Sequence, residues 1–320
     1  MNPKISILIP VYNGETTIAR AVRSVLEQDY PNLEILVVND GSRDTTPEVA
    51  QKYCDNYPGS IRLINQENKG HGGALNTGCA AAVGKYLKVI DADDWVETEN
   101  LPEFIRLLES CESDVVLTHH HTIDISTGEV KKWKSYPQEF GKCYTFEEIM
   151  PQWKNFDRSL TFHGVTYKTD FYREMGIQLS EHVFYEDHEF ATYPCCCARS
   201  VLPLDLFIYN YRIGDVQQSV SEENQLKRIG HTETVLRRMV AEYHKLPLAE
   251  EAAGALLYHA GAGTMGVYTQ NGESRTHSSL TGAYDYIIGG VDSIDSSVTY
   301  YENDGTCTGL HKVTTGYRGS

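Results

Sequence analysis

The strongest constraint on the fold lies in the first part of the chain, where β-branched apolar runs alternate with segments of helical period. Ile5–Ile9 is the first such run, and in residues 16–28 the apolar positions then fall on one helical face. The alternation repeats, with predicted strands at 34–38, 61–64 and 86–90 and predicted helices at 46–57 and 73–82. Strands and helices at this spacing form a mostly parallel, Rossmann-like sheet flanked by helices, so we predict an α/β fold.

The pattern changes after Asp94. It predicts a helix at 101–110, a strand at 114–118, a hairpin at 122–136, a mixed α+β region at 146–198 and a helical segment at 221–259. From Thr276 onward Ser, Thr, Gly and Tyr dominate, and this composition predicts a strand or two at most. We divide the chain into a core at 1–118, an α+β part at 119–220 and a C-terminal extension at 221–320.

Charge and cysteine content exclude several classes of protein. Lys plus Arg is 28 and Asp plus Glu is 44, a net charge of −16, which argues against binding nucleic acid through its phosphates. An anionic ligand would need a local device such as a metal, a helix N-terminus or a few basic residues. The eight cysteines form no C-x-x-C pair, and no secretory signal or ~18–20-residue apolar span occurs. We therefore expect a cytoplasmic protein.

Four polar clusters follow the predicted strands. Ligands of open α/β sheets bind at the carboxyl ends of the strands, so these clusters are the first candidates for a site. No G-x-G-x-x-G follows the first strand and no P-loop motif occurs, which disfavours a dinucleotide fold and a P-loop enzyme. The clusters are Pro10-Val11-Tyr12-Asn13-Gly14, the segment 39–45, the segment 68–73 and Asp91-Ala92-Asp93-Asp94-Trp95.

The acidic cluster after the fourth strand points to a cation. Like charges packed together repel, so Asp91, Asp93 and Asp94 need a cation or extensive solvent. Alternate residues of an extended segment point the same way, and carboxylate oxygens suit Mg²⁺ or Mn²⁺, which can hold a diphosphate. A solvated turn that caps a helix near Glu97 is the alternative; the buried strand before the motif and the other polar strand ends favour the metal.

These residues together resemble the family 2 glycosyltransferases of the GT-A fold. The ordered match spans about residues 4–100, and a weaker likeness reaches about residue 240. It rests on Pro10-Val11-Tyr12-Asn13, Asp40-Gly41-Ser42 with Asp44, Asn68-Lys69-Gly70, Asn76 with Gly78, Asp91-Ala92-Asp93-Asp94, Phe184-Tyr185-Glu186-Asp187 and Tyr209-Asn210-Tyr211-Arg212. The resemblance implies that the core binds a nucleotide sugar and that 119–220 faces the acceptor.

The resemblance also implies a donor site. Tyr12 would stack on the uracil of a UDP-sugar, Asp40 would bind the base edge or the ribose, and Lys69 would approach phosphate; a turn aromatic packed on the sheet is the alternative for Tyr12. Leu75 stands where family members often have Arg, so one expected phosphate contact is missing. The remaining expected donor-site residues are Pro10, Asn13, Asn68, Asn76, Asp91 and Arg212.

Metal and base follow from the same resemblance. Asp93 would coordinate Mn²⁺ or Mg²⁺ directly, with Asp91 on the ribose or on metal-bound water. Asp187 would be the catalytic base that deprotonates the acceptor hydroxyl. Favourable charge at a helix start is the alternative for Asp187, and a surface ion pair is the alternative for Arg212.

The predicted function is therefore an inverting, metal-dependent glycosyltransferase. It would move a sugar from a nucleotide-diphosphate sugar, UDP-linked, to a glycan or lipid-linked acceptor in cell-surface polysaccharide synthesis, in the cytoplasm or at the inner face of the membrane. A catalytically silent sugar-nucleotide-binding protein and a sugar nucleotidyltransferase are the alternatives. The loop 12–15 lacks the Gly-rich basic sequence usual in the latter. The sequence leaves the oligomeric state open.

Overall fold

The computed structural model describes residues 5–27, 32–149, 152, 155, 156 and 158–215, with residues 228, 231, 234, 235 and 238. Residues 146, 147 and 196 and four strands beyond residue 266 are described by their backbone alone. The chain divides into two units, 1–214 and 215–320. In the described residues, no helix is both long and apolar enough to cross a bilayer.

The first unit opens with the predicted alternation of strands and helices. Its strands are β1 (Ile5–Val11), β2 (Leu33–Asn39), β3 (Ile61–Asn65), β4 (Tyr86–Val89), β5 (Trp95–Val96), β6 (Val115–Asp124), β7 (Val130–Trp133), β8 (Val165–Lys168) and β9 (Val201–Ile213). Its helices are α1 (Ile18–Leu26), α2 (Thr46–Asn56), α3 (Gly70–Ala81), α4 (Leu101–Ser110), α5 (Phe146–Ile149), α6 (Thr169–Glu174) and α7 (Asp187–Cys197).

One sheet runs through this unit in the order β3-β2-β1-β4-β8-β6-β9-β5, with β7 paired to β6. The first four strands are parallel, as predicted. Beyond them β8 runs antiparallel between β4 and β6, and β9 is parallel to β6. The expected hairpin forms from β6 and β7. The α/β prediction is confirmed, with the antiparallel strands confined to the second half of the sheet.

Apolar side chains cover both faces of the sheet, because residues of a strand alternate between its two sides. Ile5, Ile7 and Ile9 pack on one face in a core that includes α1 and α4. Leu8 points to the other face, where α3 and the aromatic residues of segments 144–172 and 190–201 form the second core. Strands β1, β2 and β4 are buried along their whole length. The polar residues that follow their carboxyl ends are therefore where these strands approach solvent.

In the second unit, four antiparallel strands pair in sequence order. They are β10 (Val267–Gln270), β11 (Glu273–His277), β12 (Ser293–Glu302) and β13 (Cys307–Gly316). The sequence predicts fewer strands here because Ser, Thr and Gly hide the apolar alternation by which strands are recognised. The helical segment predicted at 221–259 lies almost wholly outside the described residues.

Candidate active site

The loops that leave β1 and β2 are joined to each other. The Asn13 backbone N–H donates to Ser42 Oγ at 2.9 Å, and Asn13 Oδ1 accepts from the Arg43 N–H at 2.8 Å. Asn13 has φ +52°, a left-handed conformation that Asn tolerates better than most residues. Pro10 is buried inside β1, while Tyr12, the next residue after that strand, is 49% exposed.

Asp40 organises the loops after β2 and β3. Its buried carboxylate accepts from Gln66 Nε2 at 2.7 Å and from the Lys69 backbone N–H at 2.8 Å. Asn68 Nδ2 donates to the Asp40 carbonyl at 2.9 Å. The Lys69 ammonium lies 4.0 Å from Glu181 on an exposed edge. Three predicted donor-site residues are therefore in contact with one another.

The three aspartates after β4 have different surroundings. Asp94 is fully buried and accepts from the Tyr209 hydroxyl at 2.6 Å and from the Arg212 N–H at 2.7 Å. Asp91 and Asp93 stay half-buried, with Arg212 Nη1 3.9 Å from Asp93. Burial and the charges of the other two aspartates raise the pKa of Asp94 well above its ordinary value. Asp94 thus joins β9 to the acidic loop, while Asp91 and Asp93 of that loop stay partly exposed.

His71 joins the acidic loop to the start of α7. Its Nε2 lies 2.9 Å from Asp91 Oδ1 and its Nδ1 lies 2.6 Å from Glu186 Oε1. Ionised carboxylates only accept hydrogen bonds, so a ring between two of them donates from both nitrogens. Burial alone would lower the pKa of His71, but the charges and hydrogen bonds of Asp91 and Glu186 outweigh it and raise the pKa well above its ordinary value. The sequence gives His71 no such role, because Glu186 is distant in the chain.

Three carboxylates lie in the first turn of α7 or beside it, and two of them hold the fold together. Glu189 is buried and accepts from both the N–H and the hydroxyl of Ser180, at 2.7 and 2.8 Å. Glu186, the N-cap residue, binds His71. No hydrogen bond joins the half-buried Asp187 carboxylate to another described residue. Among the described residues, Asp187 thus differs from Glu186 and Glu189 in having a carboxylate without a hydrogen-bond partner.

Asp187 and Asp91 of the acidic loop both affect the same two rings, those of His163 and Tyr211. The negative charges of both Asp91 and Asp187 influence the pKa of His163 and of Tyr211. His163 is stacked on Tyr211 with ring centroids 4.3 Å apart, and burial lowers the pKa of His163 to about 4. A neutral imidazole and a phenol thus lie within electrostatic range of the predicted metal loop and of the predicted base.

Glycines let the start of α3 approach the segment before α7. Gly70 has φ +79°, and a Cβ there would lie 2.9 Å from the His182 backbone nitrogen. At Gly72 a Cβ would lie 2.2 Å from the Ser180 carbonyl oxygen. The His182 N–H donates to the Lys69 carbonyl at 2.8 Å. These two glycines therefore permit a close approach of protein backbone at the start of α3.

Two further predicted residues have structural partners. Asn76 uses both amide atoms on the Leu179 backbone, donating at 3.0 Å and accepting at 2.8 Å. Arg212 is largely buried, and its guanidinium forms an ion pair of 3.9 Å with the partly exposed Asp93. Asn76 thus supports the segment before α7, whereas Arg212 lies at the acidic loop.

The consecutive histidines of β6 are held by neighbouring aromatic rings. His121 stacks on Phe207 at 4.4 Å, and His120 lies 4.9 Å from His163. Register shifts around His119 in the β6–β9 pairing break the simple alternation of sides. Among the described residues, Asp91, Asp93 and Asp94 are the cluster that could hold a metal ion, with carboxylate oxygens within 4.8 Å of one another, so these histidines lie outside it.

The donor set fits a divalent cation. Asp91 and Asp93 offer half-buried carboxylate oxygens, the ligand type of Mg²⁺ and Mn²⁺. Asp94 accepts hydrogen bonds from the Tyr209 hydroxyl and the Arg212 N–H and thereby orients the loop that carries the other two aspartates.

Comparison with known proteins places this site in a family. A family model described as Glycosyl transferase family 2 matches residues 6–173, more than half of the chain. The chain belongs to this family. EpsH of Bacillus subtilis is 31% identical over 219 residues, and the glycosyltransferase GlyA of Streptococcus pneumoniae serotype 4 is 26% identical over 219 residues. These matches cover 66% and 67% of this chain but 61% of EpsH and 31% of GlyA.

Solved structures share the GT-A fold of this family. TarS 1–349 from S. aureus, in complex with UDP-GlcNAc, matches with a TM-score of 0.61 at 23% identity, over 80% of this chain and 71% of that one. The mannosyltransferase PcManGT from Pyrobaculum calidifontis, in complex with GDP-Man and Mn²⁺, matches with a TM-score of 0.55 at 17% identity, over 81% and 69%. The family and the fold expected from the sequence are both confirmed.

Proposed function

We propose that this chain is an inverting, metal-dependent glycosyltransferase that moves a sugar from a UDP-linked donor to a hydroxyl group of a glycan or a lipid-linked acceptor. One observation carries the proposal. His71 bonds Asp91 of the acidic loop at 2.9 Å and Glu186, the residue directly before Asp187, at 2.6 Å, which supports a single site that contains both the acidic loop and Asp187. Transfer between two substrates needs such a pair of acidic positions, one beside each substrate.

The donor would lie across the carboxyl ends of β1, β2 and β4. Tyr12 has an exposed ring face for the uracil, and Asp40 and Asn68 shape the neighbouring loop. The likeness to TarS, which was solved with UDP-GlcNAc, supports a UDP-sugar. Lys69 and Arg212 are cations at the two sides of this edge, where they can balance diphosphate charge.

A metal would be held by Asp93 and Asp91. When bound, Mn²⁺ or Mg²⁺ would neutralise the charge that develops on the departing diphosphate. The likeness to PcManGT, solved with Mn²⁺, supports this role. Arg212 beside Asp93 and Tyr209 behind Asp94 keep the loop in place whether or not a donor is bound.

Asp187 would act as the general base. Its carboxylate takes the proton of the acceptor hydroxyl, the acceptor oxygen bonds to the anomeric carbon, and the bond from that carbon to the diphosphate oxygen breaks. A single displacement of this kind inverts the anomeric centre and requires one base. The exposed side of α7 is where we place the acceptor, and the division of the first unit into a donor part and an acceptor part belongs to this proposal.

The biological role is proposed more broadly, because the chain spans 61% of EpsH and 31% of GlyA. We place it in cell-surface polysaccharide synthesis, in the cytoplasm at the inner face of the membrane. The described cysteines are all free, which supports a reducing compartment.

A donor screen tests the proposal. UDP-GlcNAc, other UDP-sugars, GDP-mannose and a dTDP-sugar are titrated by calorimetry with Mn²⁺ and with EDTA, and nucleoside diphosphate release is followed with glycan acceptors. We expect a UDP-sugar to bind with Mn²⁺ and to be consumed only when an acceptor is present. Binding without turnover under every acceptor would favour the silent binding protein, and no binding of any nucleotide sugar would refute both.

A further inference from the structure

We propose that His71 is a positioning residue that sets the acidic loop and the start of α7 relative to each other. The inference rests on the proposed function, in which Asp91 lies on the donor side and α7 on the acceptor side. His71 contacts one carboxylate from each side, at 2.9 Å and 2.6 Å. A single side chain would thus fix the distance between the two halves of the site.

The His71 ring is restrained by contacts on three sides. It packs against Phe162 with ring centroids 5.7 Å apart, and its two nitrogens point to opposite carboxylates. Its backbone lies between Gly70 and Gly72, the two glycines that admit the segment before α7. The sequence Gly-His-Gly therefore places an imidazole where the two loops converge and removes the side chains that would hold them apart.

Glu186 depends on His71 more than Asp91 does. Glu186 is 2% exposed, and its second carboxylate oxygen has no hydrogen-bond partner among the described residues. A buried carboxylate is costly unless it is paired, so the bond to His71 decides where Glu186 lies. Because Glu186 is the N-cap residue of α7 and Asp187 follows it directly, the position of Asp187 follows from this bond.

The consequence is a link between donor-side affinity and acceptor-side turnover. Loss of His71 frees Asp91 to turn and lets the first turn of α7 shift. Partners that orient metal-binding carboxylates typically change metal affinity or activity by about 10–100-fold when removed. Loss of Asp187, by contrast, touches the acceptor side alone.

The test compares His71→Gln, Glu186→Ala and the double variant with the unmodified protein. Gln keeps a polar donor of similar size, but both of its N–H groups are on one nitrogen, whereas His71 meets the two carboxylates with two separate ring nitrogens. Gln therefore does not reproduce the bridge between them. We expect His71→Gln to bind Mn²⁺ about 10–100-fold more weakly by calorimetry and to lower kcat by about 10–100-fold. In the double variant the loss of turnover should be clearly smaller than the product of the two single losses.

Glu189→Gln is the matched control, because it neutralises a carboxylate in the same helical turn that binds Ser180 and not His71. We expect it to weaken folding and to leave Mn²⁺ affinity unchanged. If His71→Gln keeps normal Mn²⁺ affinity and kcat, or if the losses simply multiply, His71 does not position the site.

A measurement without metal or donor separates this outcome from failure of the proposed function. Urea unfolding of the metal-free single and double variants tests the coupling of His71 to Glu186 by itself. If the cycle shows coupling but the protein binds no nucleotide sugar, the glycosyltransferase proposal is refuted and the link between His71 and Glu186 is retained. Absence of coupling in an active enzyme would refute the positioning role alone.

Discussion

At the scale of single residues, surroundings separate carboxylates that look alike in the sequence. Glu186, Asp187 and Glu189 lie within four positions, yet Glu186 binds His71 and Glu189 binds Ser180. The hydrogen bonds of the two glutamates join α7 to other segments, whereas the Asp187 carboxylate has no hydrogen bond to another described residue. The choice of base within this segment is thus a matter of which carboxylate the fold leaves available.

Replacing Asp187 by Asn tests that choice. Asn keeps the shape but cannot take a proton, so kcat should fall by about 10²–10⁴-fold. UDP affinity, measured by calorimetry, should stay within about twofold because Asp187 faces the acceptor. Glu189→Gln is the control, with normal kcat per folded molecule. Full activity of Asp187→Asn would move the base to another residue.

Replacing Asp93 by Asn tests the metal loop. We expect Mn²⁺ affinity and turnover to fall by at least about tenfold, with the fold retained and only a small loss of stability from the weakened ion pair to Arg212. Asp44→Asn is the control: Asp44 accepts from the N–H and the hydroxyl of Thr46 at the start of α2, so its loss should affect stability and leave Mn²⁺ binding unchanged. Normal Mn²⁺ affinity in Asp93→Asn would contradict the assignment.

At the scale of elements, the sequence predicts the strands and helices of the first 95 residues well and their mutual contacts poorly. Buried runs such as β1 are recognised by their composition. Helix α3 starts at Gly70 rather than Gly73 and ends at Ala81 rather than Ala82. The three added residues include His71. Local pattern cannot reveal that this helix start meets a segment more than 100 residues later, because that contact depends on the whole sheet.

Gly72→Ala tests the contact between elements. A Cβ at Gly72 would lie 2.2 Å from the Ser180 carbonyl oxygen, so backbone must move apart. We expect a loss of about 1–3 kcal/mol in the free energy of unfolding, measured in urea, and a lower kcat because Glu186 shifts with the segment. Gly59→Ala is the control: its φ is +86° and a Cβ there meets no atom within 4 Å, so it should cost some stability and leave kcat unchanged. Unchanged stability and kcat in Gly72→Ala would mean that the segment around Ser180 moves aside without loss of folding free energy, and would contradict the importance of this contact.

At the scale of the whole molecule, one sheet brings together residues that no spacing rule connects. Parallel β1, β2 and β4 place their carboxyl ends side by side, as the sequence predicts. The insertion of antiparallel β8 between β4 and β6 is not visible in local pattern, and it contributes Val165 and Tyr167 to the second core. The strands β10–β13 were equally hidden, because their sequences lack regular apolar alternation.

Buried basic groups on β4 and β6 make the stability of the protein depend on pH. Burial lowers the pKa of Lys88 to about 7, and burial lowers those of His119 and His120 to about 4 and about 2. In the unfolded chain these groups bind protons at ordinary pKa values, about 10.4 for Lys and 6.5 for His. For these three groups the unfolded state therefore holds more protons, so their contribution to stability rises with pH, between about 4 and 6.5 for His119, between about 2 and 6.5 for His120 and between about 7 and 10.4 for Lys88. The raised pKa values of His71 and Asp94 act in the opposite direction, because the folded state holds the extra proton at those groups.

Urea unfolding at pH 5, 7 and 9 measures this dependence, with Lys88→Met as the informative variant. Lys88 Nζ donates to the His163 carbonyl at 2.9 Å and to the Val165 carbonyl at 3.3 Å, so the substitution costs these bonds, about 1–3 kcal/mol. It also removes the penalty for a buried cation, roughly 4 kcal/mol for a pKa lowered by about three units. We expect Lys88→Met to be the more stable protein at pH 7, to lose the rise in stability between pH 7 and 9, and to keep the loss of stability below pH 6.5 that comes from His119 and His120. A slope above pH 7 that survives in Lys88→Met would mean that another group titrates there.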